Sequence, residues 1–240
     1  MIKYSLAFLT IAIDVASCGI INLRQVKGNG NIQSESRSQK DFNRVETNGS
    51  FDVLVTTDSV YSVKIEADQN LLQYIETSLD GNNLKIRTAS GFSLDPSSAI
   101  KVYLSAPSYS NLRSSGSGNI VGKNRLVSND DLSLDISGSG DINVDVHASS
   151  VTANISGSGK ITVAGDAKSL KTSIAGNGDI LASKLKTEET SVNIAGNGDI
   201  HVNASKQLNI HILGSGSVKY IGNPVISQQV AGSGSVGKEQ

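Results

Sequence analysis

The chain has 240 residues, a formal net charge of −1, 24 glycines, three prolines, one cysteine and no tryptophan. The near-neutral charge excludes the basic surface typical of nucleic-acid binding, and the single cysteine excludes an intramolecular disulfide or a cysteine-based metal site. Because aromatic residues make up only 4% of the chain, the composition favours short strands joined by turns.

The first 18 residues have the layout of a bacterial lipoprotein signal peptide. Lys3 supplies a positive start, Leu6 to Ile13 form a short apolar run, and "VASC" ends at Cys18. The run is too short to span a bilayer, and a small-residue segment before a cysteine resembles a lipobox. We therefore predict lipidation at Cys18, which would anchor the protein to a membrane of the cell envelope (outer membrane, periplasmic or surface face). The alternative is an ordinary cleaved signal peptide with an incidental cysteine.

The next segments predict a tether followed by a strand-rich region. Residues 19–40 become polar after Val26, which is typical of a tether. Residues 41–110 contain "FDVLV", "YSVKIEA", "NLKIRT" and "IKVYLSA", in which apolar and polar residues alternate. This period of two is the pattern of half-buried strands.

One segment of the strand-rich region breaks the alternation. In "DQNLLQYIETSLDG", four apolar residues have helical spacing: Leu71, Leu72, Ile75 and Leu79. Asp68 is placed to cap the amino end of a helix, and Gly81 is placed to end it. The sequence therefore predicts one short helix in the N-terminal part.

Residues 111–240 form a repeat built around a Gly-x-Gly motif. The paired glycines are Gly116 and Gly118, Gly138 and Gly140, Gly157 and Gly159, Gly176 and Gly178, Gly196 and Gly198, Gly214 and Gly216, and Gly232 and Gly234. The second glycines are separated by 22, 19, 19, 20, 18 and 18 residues. A near-constant period of this length is the mark of a repeat architecture.

The parity of the repeat predicts the role of these glycines. In "DISGSGDINV", the apolar residues and both glycines occupy even positions, so they share one face of an extended chain. The glycines are therefore predicted to be structural corners between two short strands that line a narrow core. The fold that follows is an all-β, parallel β-solenoid with coils of about 19 residues. A β-sandwich is the alternative, because turn signals at short spacing fit that fold too.

These motifs resemble the GIN head-domain family of putative auto-transporter adhesins, which is common in Bacteroidetes lipoproteins. The resemblance covers about residues 41–236 and includes "VETNGSFDVLV", "YSVKIEADQNLLQYIETSLDGNNLKI" and "SAPSYSNLRSSGSGNI". It implies a solenoid-like β fold behind a signal peptide and no established chemistry. Lys160, Ser217 and Ser235 depart from the family's Asn or Asp after the second glycine.

The search for chemistry yields no catalytic residue, no cofactor and no metal site. His147, His201 and His211 are predicted to face solvent, although the last two could be neighbours across a coil. Asp141, Asp179 and Asp199 share one repeat position and could form a calcium-binding column, but Lys160 interrupts it. No G-x-S-x-G elbow and no dinucleotide fingerprint is present.

The sequence therefore predicts a non-enzymatic cell-envelope lipoprotein that acts as a scaffold, an adhesin-like head or a binding module. Its partners would be the membrane, through the lipid anchor, and a surface glycan or protein ligand. The alternative is a glycan-active β-helix enzyme that uses exposed carboxylates. Two carboxylates in a groove would favour the enzyme, and a flat polar surface would favour the binding module.

Overall fold

A computed structural model describes residues 23–128 and 131–239; Cys18 and the predicted signal peptide lie outside the described residues. The strands are β1 Arg24–Lys27, β2 Ile32–Arg37, β3 Arg44–Gly49, β4 Phe51–Thr57, β5 Ser62–Asp68, β6 Ile75–Asp80, β7 Asn83–Thr88, β8 Phe92–Asp95, β9 Ile100–Ala106, β10 Asn111–Gly116, β11 Ile120–Val127, β12 Asp131–Gly138, β13 Asp141–Gly157, β14 Lys160–Gly176, β15 Asp179–Gly196, β16 Asp199–Gly214, β17 Ser217–Ile221, β18 Val225–Gly232 and β19 Ser235–Lys238.

Each coil of the repeat consists of two strand segments that meet at a Gly-x-Gly corner. We call the segments that end at the first glycine face A, and those that begin after the second glycine face B. The long strands β13 to β16 run from face B of one coil into face A of the next. In β13, residues 141–148 pair with residues 160–167, and residues 150–157 pair with residues 169–176.

Coils stack in parallel and nearly in register, so equivalent residues form columns along the solenoid. One column of face A contains five buried isoleucines, namely Ile136, Ile155, Ile174, Ile194 and Ile212. A β-branched side chain suits this position because it packs against its own kind on the neighbouring strands. The predicted parallel β-solenoid with coils of about 19 residues is confirmed, and the sandwich alternative is excluded by the parallel pairing.

The solenoid begins earlier in the chain than the repeat motif indicates. Strand β3 pairs in parallel with β10, and Gly49 aligns with Gly116. Strand β4 pairs with β11, where Val53 aligns with Ile120. Phe51, which is buried, therefore stands where every later coil has its second glycine. Residues 44–57 are a first coil whose corner carries an aromatic ring.

Additional strands extend both faces beyond this first coil. Face A continues through the parallel strand β7 and the antiparallel strand β6. Face B continues through the parallel strand β9 and the antiparallel strands β5 and β2. Strands β1 and β8 form a separate parallel pair.

The helix predicted between Asp68 and Gly81 is wrong in its extent: the segment contains a single turn of 3-10 helix, Leu72–Tyr74. Residues Ile75–Asp80 form β6, which pairs with β7 through a turn in which Gly81 has φ +60°. Pairing within this hairpin satisfies the backbone groups that a helix would have bonded internally, and Leu79 is left 42% exposed. No helix among the described residues is long and apolar enough to cross a membrane.

The segment predicted as a tether also contains ordered structure. Residues 24–27 form β1, and residues 32–37 form β2, which lies at the edge of face B. This differs from the tether predicted over residues 19–40, because β2 supplies hydrogen-bonding partners to β5.

Asp68 fastens this N-terminal segment to the rest of the fold. The carboxylate is fully buried and accepts hydrogen bonds from the Gly30 backbone N–H (2.6 Å), the Ser97 backbone N–H (2.9 Å) and the Ser97 hydroxyl (2.7 Å). Gly28 lies so close to it that a Cβ there would come within 2.3 Å of the carboxylate. The Asp68 carboxylate therefore joins Gly30, which precedes it in the chain, to Ser97, which follows it, and does not cap a helix.

We expect the contribution of Asp68 to stability to depend on pH. The hydrogen bond from the Ser97 side chain, with the backbone donors, holds the pKa of Asp68 below its ordinary value of 3.8. Because the pKa is lower in the folded state than in the unfolded state, the ionised carboxylate stabilises the fold at pH values above its ordinary pKa. This stabilisation is lost as the pH falls through the folded-state pKa. Asp68→Asn should therefore lower the urea midpoint at neutral pH, and the difference from wild type should shrink below pH 3.8. A difference that stays constant with pH would contradict the ionised role.

Candidate functional site

The first glycine of each motif is a corner at which only glycine fits. Their φ angles are positive, between +124° and +142°, a region that other residues rarely adopt. A Cβ on Gly138 would also lie 2.3 Å from the carbonyl oxygen of Gly116 in the neighbouring coil. The same pattern holds for the whole set, which is Gly116, Gly138, Gly157, Gly176, Gly196, Gly214 and Gly232.

The second glycine is required for a different reason, which is close packing. Gly178 has no positive φ, but a Cβ there would lie 2.5 Å from the Gly159 carbonyl oxygen and 2.7 Å from Cγ2 of Ile155. The equivalent positions are Gly118, Gly140, Gly159, Gly178, Gly198, Gly216 and Gly234, and each has a backbone oxygen of the neighbouring coil within 2.8 Å of its Cβ position. These second glycines are packed against the neighbouring coil.

Side chains at the corners mainly bond the next coil. Asp141 Oδ1 accepts the Lys160 backbone N–H (3.1 Å), and Asp199 Oδ1 accepts the Ser217 hydroxyl (2.6 Å). In the column considered as a calcium site, these carboxylates therefore accept hydrogen bonds from backbone N–H and hydroxyl groups. Lys160 lies between Asp141 and Asp179 in the same column. Within residues 23–128 and 131–239, no group of three His, Cys, Asp or Glu side chains is placed to hold a metal ion.

The three histidines are dispersed, and the suggested His201–His211 pair does not exist. His201 lies on face B beside Leu181 and Lys219, whereas His211 lies on face A beside Asn193 and Gln229. His147 is exposed and contacts Asp166.

Two carboxylates on face B, Asp145 and Asp166, share one arginine. Nε of Arg125 lies 2.6 Å from Asp145, and its Nη1 lies 3.3 Å from Asp166. The bond to Asp145 raises the pKa of Arg125. This cluster is an ion-paired surface patch, with all three side chains about half exposed.

The best-built candidate site is a polar concavity on the outer surface of face A, which we call the face-A pocket. It has a volume of about 520 Å³, within the range of small-molecule sites. It crosses the parallel strands β7, β3, β10 and β12. All nine residues that line it are polar or charged: Arg44, Glu46, Asn82, Asn83, Ser110, Asn111, Arg113, Ser133 and Asp135.

Hydrogen bonds hold the two carboxylates of the face-A pocket in place. Asp135 accepts from Asn111 Nδ2 (2.6 Å), the Ser133 hydroxyl (2.9 Å) and Asn154 Nδ2 (2.8 Å). Glu46 Oε2 accepts from Asn83 Nδ2 at 3.0 Å. The donors come from four different strands, so the stacking of the coils itself fixes the geometry of the acceptors.

The two arginines of the pocket differ from three other arginines of the protein, which form ion pairs. Arg37, Arg87 and Arg125 form ion pairs, whereas Arg44 and Arg113 have no ion-pair partner among the described residues. In register, Arg113 lies between Glu46 and Asp135 on the neighbouring strands. Both guanidinium groups are exposed and retain donors for an incoming ligand.

A second cavity of about 460 Å³ lies at the first corner of the solenoid, beside Gly49 and Phe51. Its apolar wall consists of Leu23, Phe51, Phe92, Leu94, Pro96 and Ile100.

Sequence reasoning missed the face-A pocket, because its residues come from four segments far apart in the chain. One signal was available: "NGSF" at residues 48–51 is a degenerate corner. Aligning its glycine with Gly116 and Gly138 places Arg44, Asn111 and Ser133 in a single column.

Comparison with known proteins places the chain in a family. The family model described as "Putative auto-transporter adhesin, head GIN domain" matches residues 41–224. No similar sequence was found among the curated proteins.

Solved structures share the whole fold. A putative adhesin of Bacteroides fragilis NCTC 9343 superposes with a TM-score of 0.83 at 21% identity, covering 89% of this chain and all of that one. A protein of Parabacteroides distasonis ATCC 8503 described as a putative lipid binding protein has a TM-score of 0.76 at 25% identity, covering 90% and 100%. A putative adhesin of Parabacteroides merdae ATCC 43184 has a TM-score of 0.72 at 24% identity, with the same coverage. The chain therefore belongs to the family of putative auto-transporter adhesins with a head GIN domain.

Proposed function

We propose that this protein is a lipid-anchored protein of the cell envelope whose solenoid is a non-enzymatic binding module, an adhesin-like head. The partner would be a surface glycan or a protein, and the anchor would be Cys18. Family membership supports the adhesin-like role, and the lipobox-like sequence before Cys18 supports the anchor.

The observation that carries the proposal is the outer surface of face A. Two columns of eight side chains each run along it from the first coil to the last, and every member is polar or charged. The first is Arg44, Asn111, Ser133, Thr152, Lys171, Ser191, Asn209 and Ser227; the second is Glu46, Arg113, Asp135, Asn154, Ser173, Asn193, His211 and Gln229. A rigid stack that repeats hydrogen-bonding groups in this way is suited to contacting an extended partner.

A binding screen of residues 22–240 against glycans and intact cell surfaces tests the module. We expect retention of the protein without change to the partner. Reproducible hydrolysis of a polysaccharide or an ester that a single Asp or Ser substitution abolishes would contradict the proposal and favour the enzyme alternative.

The anchor is tested separately by Cys18→Ser. We expect this variant to move from the membrane fraction to the soluble fraction, because it lacks the thiol that the predicted lipidation requires and the chain has no other cysteine. Cell fractionation followed by detection of the protein measures it. Wild-type protein found in the soluble fraction would contradict lipidation.

A further inference from the structure

We propose that the face-A pocket binds a short stretch of a neutral oligosaccharide through its hydroxyl groups. This inference rests on the proposed function, because it names the ligand class and the residues that would recognise it.

The charge of the pocket favours an uncharged ligand. Arg44 and Arg113 are matched by Glu46 and Asp135, so the lining carries no net charge. An anionic ligand that approached Arg113 would meet Glu46 and Asp135 on the two adjoining strands. A cationic ligand would meet the two arginines, so the pocket has no net attraction for either charge.

The hydrogen-bonding groups of the pocket match sugar hydroxyls. A hydroxyl both donates and accepts, so a surface that holds it needs donors beside acceptors. The two guanidinium groups supply donors, the carboxylates of Asp135 and Glu46 supply acceptors, and the side-chain amides of Asn82 and Asn111 line the same pocket.

The pocket is organised before a ligand arrives. Three side-chain donors hold Asp135, and one holds Glu46, at distances of 2.6 to 3.0 Å. Since these acceptors are already fixed, a ligand would not have to order them, and less conformational entropy is lost on binding.

The composition of the lining argues against other partners. No apolar residue lines the pocket, so it offers no place for an acyl chain or an apolar peptide side chain. The strands beneath it are paired on both sides, so no free edge is present for a peptide strand to extend. No aromatic ring is available for stacking, and affinity should depend on the hydrogen bonds.

The probes for the test are neutral trisaccharides of glucose, galactose, mannose and N-acetylglucosamine, with trigalacturonic acid as the anionic counterpart. Saturation-transfer NMR and titration of the purified protein measure binding. We expect at least one neutral trisaccharide to bind. Arg113→Gln and Asn111→Ala should each weaken it roughly tenfold, the loss expected for a hydrogen bond to a charged or fixed group.

Lys219→Gln is the matched control. Lys219 is exposed on face B, outside both face-A columns and outside the lining of the pocket, and its loss should leave affinity unchanged. Unchanged thermal midpoints would show that the variants fold normally. The inference is overturned if no neutral trisaccharide binds, if trigalacturonic acid binds more tightly, or if Arg113→Gln binds as wild type does. If both pocket variants still bind a cell-surface partner as wild type does, the proposed binding module stands, but the face-A pocket is not its binding site.

Discussion

Gly176→Val and Gly178→Val should each destabilise the protein strongly, whereas Asn177→Val should change its stability little. A side chain at residue 178 would overlap Ile155 and the Gly159 carbonyl oxygen, and overpacking of this kind costs about 1–3 kcal/mol. At residue 176 the overlap with the Gly157 carbonyl oxygen, at 2.3 Å, is joined by a φ of +135°. Backbone strain there adds roughly another 1–3 kcal/mol.

Asn177 is the internal control for both substitutions. It is exposed between the two glycines, and its side chain only accepts a hydrogen bond from Asn197 Nδ2 at 3.1 Å. Denaturant midpoints of the three variants measure the difference. Because each coil contacts two others, damage at one corner weakens both interfaces. Similar midpoints for all three would show that the corners tolerate side chains and would contradict the steric argument.

The solenoid could be predicted because its evidence is local and repeated. Spacing gave the period of the coils, and parity placed Ile155, Ile174 and both glycines of each motif on one face; the two isoleucines are buried. The different structural reasons for the two glycines could not be predicted, because the sequence shows only that both positions are glycine. Only the backbone angles separate positive φ at Gly176 from close packing at Gly178.

The N-terminal half was harder to predict because its pairings join distant segments. Leu71, Leu72 and Ile75 have helical spacing and are all buried, so that part of the pattern correctly identified core residues. The same pattern predicted a helical backbone, whereas Ile75–Asp80 is a strand that pairs with β7. Pairing with a neighbouring strand overrides a short periodic signal. The face-A pocket depends on the same long-range register, which aligns Arg44 with Asn111 and Asn111 with Ser133.

One residue at the junction between this half and the repeat, Tyr109, is completely buried. It has the largest fully buried side chain among the described residues, and it lies between β9 and β10. Its hydroxyl donates to the Thr56 carbonyl oxygen at 3.1 Å. Burial raises the pKa of Tyr109, so the hydroxyl remains a donor throughout the neutral range.

Tyr109→Ala should therefore be among the most destabilising single substitutions in the chain. Removing a buried aromatic side chain typically costs about 3–5 kcal/mol, because the cavity that remains closes only partly. Tyr109→Phe keeps the ring and removes only the donor to Thr56, which should cost about 1–3 kcal/mol. Denaturant midpoints of the two variants separate packing from hydrogen bonding. If Tyr109→Ala were no less stable than Tyr109→Phe, the ring would contribute little to stability, and the proposed role of its burial at the junction would be contradicted.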